Sequence, residues 1–340
     1  MKLALTYDDV SIVPKLSNIE HRRDIDLSVN MAENLKMNVP IFSSPMDTIT
    51  EIEMAYAMAE KGGIGIIHRF MNKDKQWAKL EELKILSGHQ VGAALGVTGN
   101  YLERATVLAN TGVDLFVIDV AHGHHTLVKQ AVRNLKNEFK NEIAIMAGNI
   151  ATNDSAKYLI DAGADILRVG IGSGSLCSTR VQTGVGLPMV TSLIDISNSI
   201  RDTSVTIIAD GGVRKPGDVA KALAAGAHGV MLGSLLSGTK ETPGVITKTG
   251  QWPNEQLQKK YRGSASLESK LDRNEINNIE GYSTVVPYKG KVKRIITDIK
   301  DGVRSAFSYV GARNLQEFHE KSEFVRVTNA GLVEASPHLL

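Results

Sequence analysis

The chain has 340 residues, 42% of them hydrophobic and 22% charged, which supports a large core and excludes a disordered or fibrous protein. Its 39 Lys+Arg against 37 Asp+Glu leave a formal charge of +2, too little to recruit nucleic acid or an anionic membrane surface. One cysteine, Cys177, leaves no internal disulfide, and with neither a basic leader with a long apolar run nor about 18 uninterrupted apolar residues the expected compartment is cytoplasmic.

Eight short apolar, β-branched runs recur along the chain. They are Val39 to Ser43, Gly65 to Ile67, Val91 to Ala94, Leu115 to Asp119, Ile143 to Ala147, Ile166 to Val169, Val205 to Asp210 and Gly229 to Leu232. Helical periodicity fills the intervals, around Glu51 to Lys61, Asp74 to Leu86, Tyr101 to Asn110, Thr126 to Lys136, Asp154 to Ala162, Met189 to Ile200 and Gly217 to Ala225. The strands read as nearly continuous hydrophobic runs, as parallel strands covered on both faces do. Eight βα units predict an α/β fold of the (β/α)8 TIM barrel type, a single catalytic domain over 1–340. A doubly wound open sheet is the competitor, but it needs a glycine fingerprint after its first strand, where this chain has Ser43-Ser44-Pro45-Met46-Asp47.

In a barrel the segments after the strands share the C-terminal face, where active sites form. There the sequence places Asp119-Val120-Ala121-His122-Gly123-His124, Gly148-Asn149, Gly170-Ile171-Gly172-Ser173-Gly174, Asp210-Gly211-Gly212 and Gly233-Ser234. Two long insertions fall at the same face: Gly170 to Pro188, and a flap at 237–290 after the eighth strand. Glycines closing the seventh and eighth strands are where barrels cradle a phosphate on backbone N–H groups; tight βα turns are the plainer explanation for either pair alone.

Cys177 lies in the hydroxyl-rich loop Gly170 to Arg180, which suits a nucleophile better than a structural cysteine on a packed face. The carbonyls of that glycine turn could also hold a monovalent cation. His122, His124 and His125 lack a cysteine or carboxylate companion at ligand spacing, so hydrogen bonding or cofactor contact is favoured over zinc. Asp119 is either an acceptor for a ribose or amide or a rim carboxylate satisfied locally. Within the flap, Glu280 is the carboxylate suited to proton transfer, and a merely solvated loop is the alternative for the polar run before it.

These segments make the chain resemble the IMP dehydrogenase and GMP reductase family over nearly its whole length. The resemblance rests on Ser43-Ser44-Pro45-Met46-Asp47-Thr48, Ile118 to His124, Ala147-Gly148-Asn149, Val169 to Cys177, Ala209-Asp210-Gly211-Gly212 and Met231-Leu232-Gly233-Ser234, then Tyr261-Arg262-Gly263, Val286 to Gly290 and Tyr309 to Ala312. It implies a barrel in which Cys177 attacks C2 of a purine nucleotide while a nicotinamide exchanges hydride with that carbon. It places Thr179 beside the reacting centre, and Ser175, Asp210, Gly211, Gly212, Gly233, Ser234, Tyr261 and Gly263 around the nucleotide and its phosphate, with Ser44 and Met46 flanking it. Asp119, Ala121 and Gly123 would face the nicotinamide, and Gly172, Gly174 and Cys177 match the turn that holds potassium. A homotetramer is the family's expected assembly.

Within the family, dehydrogenases typically carry a paired regulatory (CBS) domain between the second and third βα units, though some lack it, and here Met71 to Gly88 is only a helix-length connection. Their flap bears an Arg-Tyr pair that activates water, whereas this flap reads Asp272-Arg273-Asn274, and Ser264 replaces the usual methionine. Glu280-Gly281 ahead of Pro287-Tyr288-Lys289-Gly290, and Thr183-Gly184-Val185-Gly186, are reductase-like, while Asn329 to His338 and His122-Gly123-His124 are closer to dehydrogenases. The expected activity is therefore NADPH-dependent reductive deamination of GMP to IMP, with Cys177, Thr179 and Glu280 catalytic. An IMP dehydrogenase lacking the CBS domains and using NAD is the alternative, and a nucleotide-binding regulator without turnover is a third.

Overall fold

A computed structural model describes residues 1–251, 253–275 and 277–336. Among these, eight parallel strands close into a barrel in sequential order. They are β1 (Ile41–Ser43), β2 (Ile64–Ile67), β3 (Gly92–Leu95), β4 (Leu115–Asp119), β5 (Ala144–Ile150), β6 (Ile166–Val169), β7 (Thr206–Asp210) and β8 (Gly229–Leu232). Closure is made by β8 on β1, with Leu232 opposite Ser43. The predicted (β/α)8 barrel is what the chain forms, and the competing open sheet is not.

Around the strands lie α1 (Ile52–Glu60), α2 (Lys73–Ser87), α3 (Tyr101–Ala109), α4 (Thr126–Phe139), α5 (Asn153–Ile160), the short α6 (Thr179–Thr183), α7 (Met189–Ser199) and α8 (Pro216–Ala224). Caps fix several of their starts: Asn72 accepts from Lys75 N at α2, Thr152 and Ser155 make a capping box at α5, and Pro216 sits in the first turn of α8. Helix α2 alone spans the connection between β2 and β3.

The structure departs from the sequence reading in four places. Strand β5 runs on through Gly148-Asn149 to Ile150, past the Gly-Asn pair that signals a turn. The cysteine loop is interrupted by α6. The flap contains an antiparallel sheet of β9 (Thr247–Thr249), β10 (Gln256–Arg262) and β11 (Ser283–Pro287), with the short helix α9 (Leu267–Leu271) between the last two. Beyond it the eighth barrel helix, α10 (Val292–Val310), buries Val292, Ile296, Ile299, Val303, Phe307 and Val310, a spacing of three and four that makes one apolar stripe. Trp252 and Ile276 of the flap, and Pro337 and His338 of the dehydrogenase-like C-terminal run, lie outside the described residues.

Short elements seal the barrel. The hairpin Val29–Ala32 with Leu35–Met37 covers its N-terminal end, where Thr206 Oγ1 donates to the Met31 carbonyl at 2.8 Å. Strand Val10–Ile12 pairs antiparallel with Phe324–Arg326, joining two stretches far apart in the chain.

Candidate active site

The C-terminal rim gathers Cys177, Thr179 and Glu280 from two separate loops. Cys177 is exposed and unpaired to any other cysteine. Its Sγ lies 3.1 Å from Thr179 Oγ1, and that hydroxyl donates to Glu280 Oε2 at 2.6 Å. Because Thr179 has one hydroxyl proton and gives it to the carboxylate, its oxygen is left to accept from the thiol. Backbone contacts hold this geometry: Ser178 N donates to the Glu280 carbonyl at 3.0 Å, Tyr282 N to the Leu176 carbonyl at 3.0 Å, and Glu280 N to the Ala265 carbonyl at 3.1 Å. The flap therefore lies stitched to the cysteine loop.

A second group surrounds the ends of β7 and β8. A Cβ at Gly233 would stand 3.4 Å from Tyr261 Oη and 3.6 Å from both Met46 Sδ and Ser44 Oγ, so the chain approaches closely there because no side chain intervenes. Tyr261 Oη is also 3.4 Å from Ser175 Oγ. Burial raises the Tyr261 phenol above its ordinary range, which keeps it protonated as a donor. A cavity of about 290 Å³ runs beside this cluster, lined by Ser173, Ser175, Gly212 and Ser234 and by the guanidinium-bearing Arg180 and Arg214. Gly211 has φ +109, and a Cβ there would meet Ser173 Oγ at 2.3 Å. Gly263 donates its N–H to the Tyr282 carbonyl at 2.9 Å and lies against Leu176 rather than facing the cavity lining.

Asp119 and Asp210 are joined by a residue the sequence reading passed over. Arg168, 7% exposed on β6, places Nε 2.8 Å from Asp210 Oδ2 and Nη1 2.8 Å from Asp119 Oδ1. Asn149 Nδ2 adds a hydrogen bond to Asp210 Oδ2 at 2.7 Å. Burial works against the Arg168 charge, but the carboxylates of Asp210 and Asp119 outweigh it and raise its pKa. The signal was available: an arginine inside the apolar run Ile166-Leu167-Arg168-Val169 must find counter-charges once both strand faces are covered. Asp119, left open between ligand acceptor and locally satisfied carboxylate, is engaged with Arg168 and lies 3.5 Å from Arg69 Nε.

Ala121 and His122 are exposed on the rim after β4, whereas Gly123 is buried with its N–H given to the Asn149 carbonyl at 2.7 Å. His124 packs edge-on to Tyr158, and His125 caps α4 by accepting from Leu127 N. Among the described residues no group of three or more His, Cys, Asp or Glu is placed to hold a metal ion. In the cysteine turn, Gly172 has φ +72 and the Gly174 carbonyl accepts from Cys177 N at 3.0 Å. Such a turn offers oxygen donors only, the set a hard monovalent cation takes. Among the described residues no helix is long and apolar enough to cross a membrane.

Arg262 fastens the flap to the loop after β1. Its Nη2 is 2.6 Å from Asp47 Oδ2, and Arg262 N and the Thr48 hydroxyl are 3.2 Å apart. Neither Asp47 nor Arg262 was singled out from sequence as a site residue, although both lie in matched motifs.

A closed (β/α)8 barrel whose rim presents a cysteine, a hydroxyl and a carboxylate in hydrogen-bonded series, beside glycine turns on its last two strands, defines a barrel enzyme with its chemistry assembled from loops. The family model of the IMP dehydrogenase / GMP reductase domain matches residues 4–338, and the chain belongs to that family of oxidoreductases. It is 36% identical to an inosine-5'-monophosphate dehydrogenase of Borreliella burgdorferi, over 99% of this chain and 97% of that protein. It is 35% identical to the same-named protein of Nitrosopumilus maritimus, over 99% and 98%. These alignments span 394 and 474 positions against 340 residues here, so both relatives carry residues without a counterpart in this chain. A crystal structure of a cysteine-to-alanine variant of GMP reductase from Trypanosoma brucei, in complex with guanosine 5'-monophosphate, superposes with a TM-score of 0.94 at 29% identity, over 100% of this chain and 98% of that one.

Proposed function

We propose that this protein is a GMP reductase, converting GMP to IMP and ammonia with NADPH, in a single barrel domain with a flap. The observation that carries the reading is the series Cys177 Sγ, Thr179 Oγ1 and Glu280 Oε2, with spacings of 3.1 and 2.6 Å. Its direction moves the thiol proton toward the carboxylate, leaving a thiolate to attack and a carboxyl with a proton to give.

In this mechanism the Cys177 sulfur adds to C2 of the purine and turns a flat amidine carbon into a tetrahedral one. The exocyclic nitrogen takes the proton relayed through Thr179 from Glu280 and departs as ammonia, so the proton lost by the thiol leaves with the amine. Asp119, Ala121 and Gly123 would hold a nicotinamide cofactor at the rim, which would supply hydride to C2. The carbon–sulfur bond breaks, IMP is released and the sulfur is regenerated. The nucleotide phosphate is held by Ser175, Gly212, Gly233, Ser234 and Tyr261, with Gly211 shaping the turn, Ser44 and Met46 beside it, and Gly263 backing the cysteine loop. Arg168 and Asn149 fix the Asp210 carboxylate in place as a hydrogen-bond acceptor. The oxygen-lined turn at Gly172, Gly174 and Cys177 suits potassium, which would fix the loop's shape.

The oxidative alternative needs a group to activate water. Asn274 stands where the sequence comparison expects tyrosine, and Arg273 is occupied, donating to the Ser264 carbonyl at 3.0 Å and lying 4.5 Å from the Phe70 ring centroid. One observation favours the alternative, an IMP dehydrogenase using NAD: the sequence is more similar to the named dehydrogenases above than to the trypanosomal reductase. Product analysis separates them. Incubation with GMP and NADPH yields IMP and ammonia under the proposal; formation of xanthosine monophosphate from IMP and NAD, with GMP untouched, would overturn it.

A further inference from the structure

Lys259 is an oddity in the flap: it lies on β10 yet is only 2% exposed. Burying an ammonium is costly unless its charge and three protons are met. Among the described residues its hydrogen-bond acceptors include no carboxylate, and Glu241 and Glu53 favour its charge only from a distance. Instead Nζ donates to three backbone carbonyls of the turn after β8: Thr239 at 3.2 Å, Lys240 at 3.4 Å, and Thr242. Three donors meet three acceptors. A cage of carbonyl oxygens around a dehydrated monovalent charge is the arrangement that would otherwise hold a small cation.

The turn is itself rigid. Lys240 N donates to the Gly290 carbonyl at 2.7 Å, Lys289 N to the Gly238 carbonyl at 2.8 Å, and the Glu241 carboxylate accepts from Val292 N at 2.8 Å at the start of α10. The flap's entry and exit are thus clasped together, and Lys259 ties its middle strand to that clasp. Two residues further along β10, on the same face because side chains alternate in a strand, Tyr261 reaches Ser175 and the backbone at Gly233. Lys260 between them points outward and pairs with Glu268.

We infer that the Lys259 ammonium is a built-in cation of the flap root, and that it acts as a positioning residue, seating β10 so that the Tyr261 hydroxyl is presented to the nucleotide phosphate. The second half rests on the function proposed above; the first does not. The carbonyl cage is formed by a stretch of chain separate from the turn at Gly172, Gly174 and Cys177.

The test is Lys259→Ala, measured beside the wild type in matched chloride salts of ammonium and of tetramethylammonium, which is too bulky for the cage. In tetramethylammonium the KM for GMP rises about tenfold, the loss of one good hydrogen bond to a charged group, while kcat changes little. Ammonium restores the KM of the variant beyond any change the same salt makes in the wild type, whose turn at Gly172 and Gly174 meets the same cations. Lys259→Met keeps the stem's packing, shows the same rise and is not rescued, because its side chain fills the space. Amide exchange along Gln256–Arg262 is followed in the same samples without nucleotide; it quickens in Lys259→Ala and slows with ammonium. A KM within twofold of wild type, or equal effects of the two salts, overturns the positioning role. Unchanged exchange overturns the cation cage. Were GMP not bound by the wild type, the exchange measurement alone would still decide the cage, and the failure would belong to the proposed function.

Discussion

Thr179 and Glu280 are 101 positions apart in the chain and are joined by a 2.6 Å hydrogen bond, so the flap delivers an acid to the cysteine loop only when it is folded against it. Replacing Thr179 by Val or Glu280 by Gln removes that relay without altering shape. Each should lower kcat by roughly 10²–10³-fold, in the range typical of general acid–base groups, with KM for GMP within a few-fold. Because the two act in series, the double variant should be little worse than either single one. Steady-state kinetics of the four proteins checks this; additive losses would break the series.

Arg168 should be far less tolerant than an exposed arginine. Arg168→Met leaves the carboxylates of Asp119 and Asp210 without their shared counter-charge inside the barrel mouth. The expected cost is about 3–5 kcal/mol of stability, the range for breaking a buried ion pair by removing one partner. Arg168→Lys can reach only one of the two carboxylates and should fall between. Urea unfolding gives the stability, and calorimetric titration with GMP shows whether Asp210 still accepts.

Gly170 cannot carry a side chain where it stands. Its φ is +147, and a Cβ would fall 1.9 Å from the Asp210 carbonyl oxygen. Gly170→Ala must therefore push the end of β6 away from β7, with a loss of about 3 kcal/mol or more and of nucleotide binding as well. Thermal unfolding with and without GMP tests both parts, since the ligand-induced rise in Tm should vanish.

The N-terminal end of the barrel contains an acid-sensitive pair. His228 and His319 face each other with ring centroids 5.3 Å apart, and His228 Nδ1 accepts from Ile207 N at 3.2 Å. Burial lowers His228 from 6.5 to about 4, with His319 adding to the shift, and burial also lowers His319. Between those two values the unfolded chain binds the proton that the folded one refuses, so stability falls as pH drops from 6.5 toward 4. The loss should be on the order of 2 kcal/mol across that window, and His228→Gln should flatten it. Tm measured at a series of pH values across that window in both proteins is the check.

Much of the barrel was legible because covered parallel strands leave unbroken apolar runs bounded by polar or glycine residues. Strands β4, β6 and β8 have the bounds their sequences predict. The flap sheet was hidden for a physical reason: β10 buries Lys259 where a strand pattern calls for an apolar residue, so Gln256 to Lys260 reads as loop. Helix α10 carries a plain apolar stripe and was overlooked because it follows the flap, outside the strand-and-helix alternation being counted. Of the site, Cys177, Thr179 and Glu280 were each named from sequence, and the structure brings them within hydrogen-bonding reach. Arg168 was missed since one charge in an apolar run shows that a partner is needed without saying which carboxylate supplies it.

The antiparallel pairing of Val10–Ile12 with Phe324–Arg326 has a consequence for biosynthesis. The turn Tyr7–Asp9, which contributes Tyr7 and Asp8 to the cavity wall, leads straight into the first of these strands. During synthesis Tyr7–Asp9 can already dock on α8 and the segment before it, through Lys221 Nζ to the Tyr7 carbonyl and Arg214 to Asp8. The strand that follows it gains its β-partner only when Phe324–Arg326 has left the ribosome, so this side of the pocket is the last to be braced.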